Sequence, residues 1–277
     1  MDYVYSRPHS VDDPRNLFFW DLLREALKRT QDKYGDFTLG PSDQPVVSDR
    51  RKIEELAKES GIISIAVLHW TPEVESRLLP VRIPVDRGLL GYRVLLIRND
   101  NQVRFNAVKS LADLSAFRFG QESDWDDIVT LRFNGLPVET GTNYEGLFGM
   151  LAAGRFEGMP RGVNEISDEM KFVSREFPGL VVERNLLLHY PMPVYFWFSR
   201  SPRGTALAHR AQEGLRAMVH DGTFDRLFQS HYAPMLQGLD LSKRHLIELI
   251  NPTLAAMPPE TEAINLRPEE IGLPANH

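Results

Sequence analysis

Apolar residues along this chain recur in two rhythms that take turns. A short extended run, Tyr3 to Ser6, gives way to a polar loop and then to Phe19, Leu22, Leu23, Ala26 and Leu27, whose three- and four-residue spacing predicts a helix. Asp13-Pro14 supplies the cap and first-turn proline to open it, and Gly35 after Tyr34 the residue to end it. Phe37 to Leu39 reads as a short strand. Ser48 caps a second helix carrying Ile53, Leu56 and Ala57, and after Gly61 the run Ile62 to Val67 reads as a buried strand. Strands alternating with helices predict an α/β domain, a mostly parallel sheet flanked by helices, with ligands bound beyond the carboxyl ends of the strands.

The pattern then breaks and restarts. Leu79, Val81, Ile83 and Val85 alternate with period two, Gly88 to Gly91 interrupt, and Val94 to Ile97 form another apolar run. Beyond this joint come a capped turn at Ser110 to Leu114, a strand at Phe117 to Phe119 and a helix from Asp124 to Phe133. Thr142 to Glu145 has capping-box spacing ahead of Leu147, Phe148 and Leu151, and that helix stops at Gly154. A helix over Glu165 to Val173 and a strand over Leu180 to Leu188 follow. Pro191-Met192-Pro193 bends the chain into the aromatic strand Val194 to Phe198. Ser201-Pro202 opens a long amphipathic helix through Leu207, Ala211, Leu215, Met218 and Val219, and a shorter one carries Phe224, Leu227 and Phe228. The tail from Asn251 is irregular and is expected to lie extended over the surface.

Composition narrows what such a chain does. At 277 residues, two domains are the expectation; 42% hydrophobic and 25% charged residues fit a globular protein and not a disordered one. The net charge of −6 provides no basic field for nucleic acid or anionic lipid. The excess of 25 Arg over seven Lys does not by itself identify a partner. Without cysteine, disulfides, thiolate metal sites and a cysteine nucleophile are excluded. No apolar run approaches the roughly 20 residues that cross a bilayer, and the first residues show no secretory signal. Neither G-x-S-x-G, a P-loop, G-x-G-x-x-G nor H-E-x-x-H occurs, and the eight histidines are scattered, so no enzyme, cofactor or metal is expected. The acidic pairs Glu73/Glu75 and Asp126/Asp127 read as solvated loop and first-turn acids.

Between Gly61 and Tyr232 a set of segments falls in one order: Arg77 before the run Leu79 to Val85, Arg93-Val-Leu-Leu-Ile97, Val108-Lys-Ser-Leu-Ala-Asp-Leu114 leading to Gly120-Gln-Glu-Ser123, Met150-Leu-Ala-Ala-Gly-Arg-Phe-Glu157, and Gly214 to Gly222 with Phe224 and Phe228-Gln-Ser-His-Tyr232. In this the chain resembles the family 3 solute-binding proteins of ABC importers, which have the type II periplasmic binding protein fold. The resemblance implies two α/β lobes, each a mostly parallel sheet flanked by helices, joined by a two-strand hinge, with the ligand in the cleft between them. Residues 1–90 and 190–277 would form lobe I, and residues 91–189 the inserted lobe II.

The resemblance also implies the site. Arg77 matches the arginine that grips a ligand carboxylate. Gly120 to Asp124 matches the anion-binding turn of lobe II, with Ser123 as its hydroxyl and Gln121 beside it. Amino-acid binders place an acid where this chain, reading Gly154-Arg-Phe-Glu-Gly-Met-Pro-Arg-Gly162, has Gly162 next to Arg161, which points toward a dicarboxylate or another anion. Trp70 and Trp125 are candidates for stacking faces and Tyr144 for a further contact. The expected function is non-enzymatic binding of a small polar, carboxylate-bearing solute, amino-acid-like or a dicarboxylate, by hinge closure of a periplasmic or extracellular monomer that serves an ABC permease. The alternative is a sensory or interaction module of the same fold.

Overall fold

The computed structural model describes residues 1–7, 17–44, 48–256 and 270. The helix opening at Asp13-Pro14 and the chain beyond residue 256, residue 270 apart, lie outside these. The chain divides into two compact units, one made of residues 1–87 and 193–233, the other of residues 88–192 and 234–257 as far as described. The crossings follow Arg87, at the glycine joint, and Met192, inside the double-proline bend.

The first unit begins with β1 (Asp2–Tyr5), α1 (Leu17–Lys28), α2 (Gln31–Tyr34), β2 (Thr38–Pro41), α3 (Asp49–Lys58), β3 (Ala66–His69), α4 (Pro72–Arg77) and β4 (Leu79–Val81). The Ser48 hydroxyl accepts from the Arg51 N–H at the start of α3, and Thr71 does the same for Val74 at the start of α4, where Pro72 fixes the first turn. The period-two run beginning at Leu79 pairs as a strand only to Val81. Turns follow it, in which Ile83, Pro84 and Val85 are nonetheless buried.

The second unit contains β5 (Tyr92–Arg98), α5 (Gln102–Phe105), α6 (Leu111–Leu114), β6 (Phe119–Glu122), α7 (Asp127–Phe133), β7 (Val138–Gly141), α8 (Tyr144–Ala152), β8 (Gly158–Gly162), α9 (Ile166–Glu176), β9 (Leu180–Val182) and β10 (Leu186–His189). The single strand expected over Leu180 to Leu188 is two. The buried Glu183 carboxylate accepts the N–H groups of Asn185 at 2.9 Å and Leu186 at 2.6 Å, turning the chain between β9 and β10. The helix expected from Asp124 begins at Asp127, and α8 is capped by Asn143, whose side chain accepts from Gly146 N–H, one residue beyond the expected Thr142. Gly154 ends that helix at φ 71°, a conformation glycine adopts without strain.

Back in the first unit, β11 (Val194–Phe198) lies between β3 and β4, antiparallel to both, while β1 and β2 pair in parallel. α10 (Pro202–His220) and α11 (Thr223–Gln237) follow, α10 capped by Ser201. α10 packs on α1, most closely where Gly214 meets Ala26, and Leu207, Ala211, Leu215 and Met218 of α10 and Leu22, Leu23, Ala26 and Leu27 of α1 are buried in the core. α11 runs out of the first unit at Ala233, and β12 (His245–Glu248) then joins the second.

That last strand groups residues 234–256 with the second unit, where the expected layout has them with residues 1–90. β12 pairs in parallel with β10, and Ile247 and Leu249 pack with Leu186, Leu188, Tyr190, Leu95 and Phe119. His245-Leu-Ile-Glu248 is too short and too polar at both ends to announce a strand. The second-unit sheet runs β12-β10-β5-β8-β6-β7, with β9 also against β5. It is mixed and not mostly parallel. β6, β7 and β8 are parallel, but β5, which brings the chain in, is antiparallel to β8, β9 and β10.

Candidate functional site

The carboxyl ends of the parallel strands β6 and β8 carry the polar residues of the second unit, as expected of open α/β sheets. β8 is the element that the sequence pattern hides. Glycine and proline in Gly158-Met-Pro-Arg-Gly162 read as a loop, yet all five residues are buried and paired along β5, with Arg161 opposite Val94 and Gly162 opposite Arg93. Arg161 therefore leaves a strand end and not a loop.

Its guanidinium is held on several sides. Nε donates to Glu169 Oε2 at 2.8 Å, Nη2 also donates to Glu169 Oε1, and Nη2 lies 3.2 Å from Glu165 Oε2. The Cζ atom sits 4.8 Å from the Trp125 ring centre and 5.5 Å from that of Tyr144, and the Tyr144 hydroxyl donates to Glu169 at 2.7 Å. Burial opposes the charge on Arg161, but Glu169 and Glu165 outweigh it and hold the group firmly protonated. Burial, then the Glu169 charge, push the Tyr144 hydroxyl well above the ordinary phenol range. Nearby Glu122, at the end of β6, is also shifted up, first by partial burial and then by Asp124.

A second arginine adjoins the first. Arg93 is nearly fully buried on the apolar face of β5; its Nη2 lies 3.0 Å from Asp127 Oδ1 and its Nη1 3.6 Å from Glu165 Oε2. Tyr190 donates its hydroxyl to Asp127, and the Arg93 guanidinium lies 5.5 Å from the Tyr190 ring. Glu165 thus touches both arginines. Two guanidiniums face the three carboxylates of Asp127, Glu165 and Glu169, so this edge carries more acid than base.

Of the residues expected in the site, the structure brings Trp125, Tyr144 and Arg161 together. Ser123 is exposed in the turn after β6, where its N–H donates to Gly141 O at 2.9 Å; it does not cap α7. Gln121 is wholly buried within β6, and among the described residues neither atom of its amide meets a partner. Trp70 and Arg77 lie in the first unit. Trp70 is buried and donates its indole N–H to Glu75, which also accepts from Arg82; Arg77 ends α4, half-buried, with no ion pair among the described residues.

Sequence reasoning missed Arg93, Asp127, Glu165, Glu169 and Tyr190, and it misread the acidic pairs. Asp126 and Glu73 are exposed, whereas Asp127 is buried against Arg93 and Glu75 is half-buried between Trp70 and Arg82. One signal was available: Arg93 lies in step with Leu95 and Ile97 on an apolar strand, and a charge there requires a partner. No cluster of three or more His, Cys, Asp or Glu is placed to hold a metal, and no helix is long and apolar enough to cross a membrane, among the described residues.

Glu75 gives a pH test of the first-unit network. Partial burial pushes its carboxyl up, but hydrogen bonds from Arg82 and Trp70 prevail and hold it below the ordinary value of 4.5. A depressed folded-state value stabilises the protein above the unfolded value, and that contribution is lost as pH falls through the folded one. Glu75→Gln is expected to melt lower than the parent at pH 7 and to converge with it as pH falls below the ordinary carboxylate value of 4.5 and through the lower folded-state one, as read by thermal unfolding across pH. A gap that stays constant with pH would contradict the pairing.

The sequence matches no family model and no curated protein. Solved structures match over most of the chain. An ancestral arginine-binding protein bound to arginine is 18% identical, with a TM-score of 0.56 over 83% of this chain and 98% of that one. An arginine-specific periplasmic binding protein of Salmonella typhimurium is 15% identical, with a TM-score of 0.52 over 84% and 98%. The periplasmic domain of BvgS from B. pertussis is 20% identical, with a TM-score of 0.53 over 83% of this chain and 43% of that one. The chain has the two-lobe α/β fold of these periplasmic binding proteins.

Proposed function

We propose that this protein binds a small, polar, carboxylate-bearing solute without changing it chemically, by hinge closure, and that the solute is amino-acid-like. The fold supports solute binding, and the charge distribution supports the choice of solute. A dicarboxylate would need a second spare guanidinium, whereas Arg161 and Arg93 are already engaged by carboxylates. The observation that carries the reading is the excess of acid at this edge, three carboxylates against two guanidiniums, in which Glu165, shared by both arginines and still partly exposed, is the carboxylate left to meet an ammonium. A Cβ built on Gly162 would lie 2.9 Å from Glu165 Oε2, so the start of α9 brings a carboxylate to the place where amino-acid binders of this fold are expected to carry an acid. Arg77 is the proposed anchor for the solute carboxylate, with Trp70, Ser123, Gln121, Trp125, Tyr144 and Arg161 shaping the surroundings.

A thermal-shift screen of amino acids, dicarboxylates, phosphate compounds and sugars tests this. An amino acid is expected to stabilise the protein; stabilisation by dicarboxylates alone, or by nothing, would refute it. Arg77→Ala is expected to weaken any hit by about 10- to 100-fold, since a bidentate charge-assisted pair is lost. Calorimetric titration reads this, and unchanged affinity would remove Arg77 from the site.

For uptake, the partner is an ABC permease at the outer face of a cytoplasmic membrane, with this protein in the periplasm or outside the cell. The likeness to the BvgS periplasmic domain favours a second reading, in which solute binding reports to a membrane-bound sensor. Neighbouring permease and ATPase genes would speak for uptake, and a neighbouring membrane-bound kinase or cyclase gene for sensing.

A further inference from the structure

Aromatic faces combined with carboxylates are the chemistry with which proteins recognise an organic cation. In the second unit, the rings of Trp125 and Tyr144, with centres 6.3 Å apart, and the carboxylates of Glu169 and Glu165 make such a cage, and the guanidinium inside it belongs to the chain itself. We propose that this cage is a guanidinium-binding site occupied by Arg161 as a built-in ligand, and that Arg161 thereby excludes cationic solutes from the edge formed by β6 and β8. The exclusion rests on the solute-binding reading; the cage does not. The side chains of Arg161 and Glu169 are buried, but one side of the cage is partly open. Trp125 is half-buried, and the Glu165 side chain keeps 24% of its surface, so a free cation has access once the arginine is removed. Glu122, which interacts with both Asp124 and Arg161, adds negative charge and works against an anion taking the vacated place.

The test uses the full chain with Arg161→Ala and ethylguanidinium, which restores the atoms deleted beyond Cβ. The melting temperature of the variant should rise by several degrees at millimolar ethylguanidinium, while the parent protein, its cage filled, should not respond. N-ethylurea, the same shape without charge, should give less than about a third of that rise, and Arg161→Ala/Glu169→Gln should lose most of it. Absence of a rise in Arg161→Ala, an equal rise in the parent, or an equal effect of N-ethylurea would each overturn the assignment. Should Arg161→Ala not fold, Arg161→Lys and Arg161→Met decide. A cation-selective cage keeps the lysine variant more stable than the methionine variant, and the reverse order overturns it. Failure of every amino acid in the solute screen leaves these results standing, so the two proposals fail separately. If both hold, Arg161→Ala should also gain affinity for arginine by tenfold or more over the parent.

Discussion

Gly214→Val is expected to unfold the first unit or to destabilise it by about 3 kcal/mol or more. Gly214 lies in the middle of α10, where helix propensity alone would favour almost any other residue. Its place is set by α1. A Cβ built on Gly214 would lie 2.1 Å from the Ala26 carbonyl oxygen and 2.6 Å from its carbonyl carbon, and these are backbone atoms that cannot rotate away. The two helices would have to separate, and Leu22, Leu23, Leu27, Leu215 and Met218 would lose their packing with them. Gly149 in α8 is the control, because a Cβ there meets nothing within 4 Å. Gly149→Ala should be neutral or stabilising by up to about 1 kcal/mol. Urea unfolding followed by tryptophan fluorescence distinguishes the two, and an unchanged midpoint for Gly214→Val would contradict the close approach of α1 and α10.

Arg93→Met is expected to cost the second unit about 3 kcal/mol. Methionine fills much of the same space, so the loss reports charge and not volume. The substitution takes the guanidinium from Asp127 and Glu165, and it leaves the Tyr190–Asp127 hydrogen bond beside a carboxylate that has lost this cation. Replacing a whole buried ion pair by apolar residues is often tolerated, whereas removing one partner is not. The double variant Arg93→Met/Asp127→Leu should therefore recover part of the loss. A single variant within about 0.5 kcal/mol of the parent would show that the cluster is not held by this pair.

These two positions illustrate what the sequence makes legible. The apolar rhythm located α1 and α10, and the cap-plus-proline signal at Ser201-Pro202 is the kind of local chemistry that survives folding unchanged. The aromatic run Val194 to Phe198 is a strand with the bounds expected. What the pattern hid was decided by partners distant in the chain. β8 is a strand because β5 pairs with it, although glycine and proline argue otherwise, and β12 is one because β10 and the apolar core receive Ile247. The mixed sheet follows from the same cause, since strand direction depends on where the chain enters and leaves a unit.

Part of the candidate site's geometry was legible in the same way. Trp125, Tyr144 and Arg161 emerged as candidates from separate stretches of sequence, and they meet within one cage. Their counter-charges did not emerge, because Glu165 and Glu169 look like ordinary first-turn acids of a helix and become partners only when β8 brings Arg161 to the N-terminus of α9. An arginine read as an anion grip is, in its folded setting, an arginine already gripped. Of the two expected solutes, an amino-acid-like one and a dicarboxylate, the proposed function therefore takes the one that carries both charges.

The most direct measurement is equilibrium dialysis of the full chain against a mixture of the common amino acids and small dicarboxylates, with the retained compounds identified by mass spectrometry. An amino acid with an uncharged or acidic side chain is expected to be retained at one molecule per chain, with arginine and lysine left behind. Retention of a dicarboxylate in preference to every amino acid, or of nothing, would contradict it.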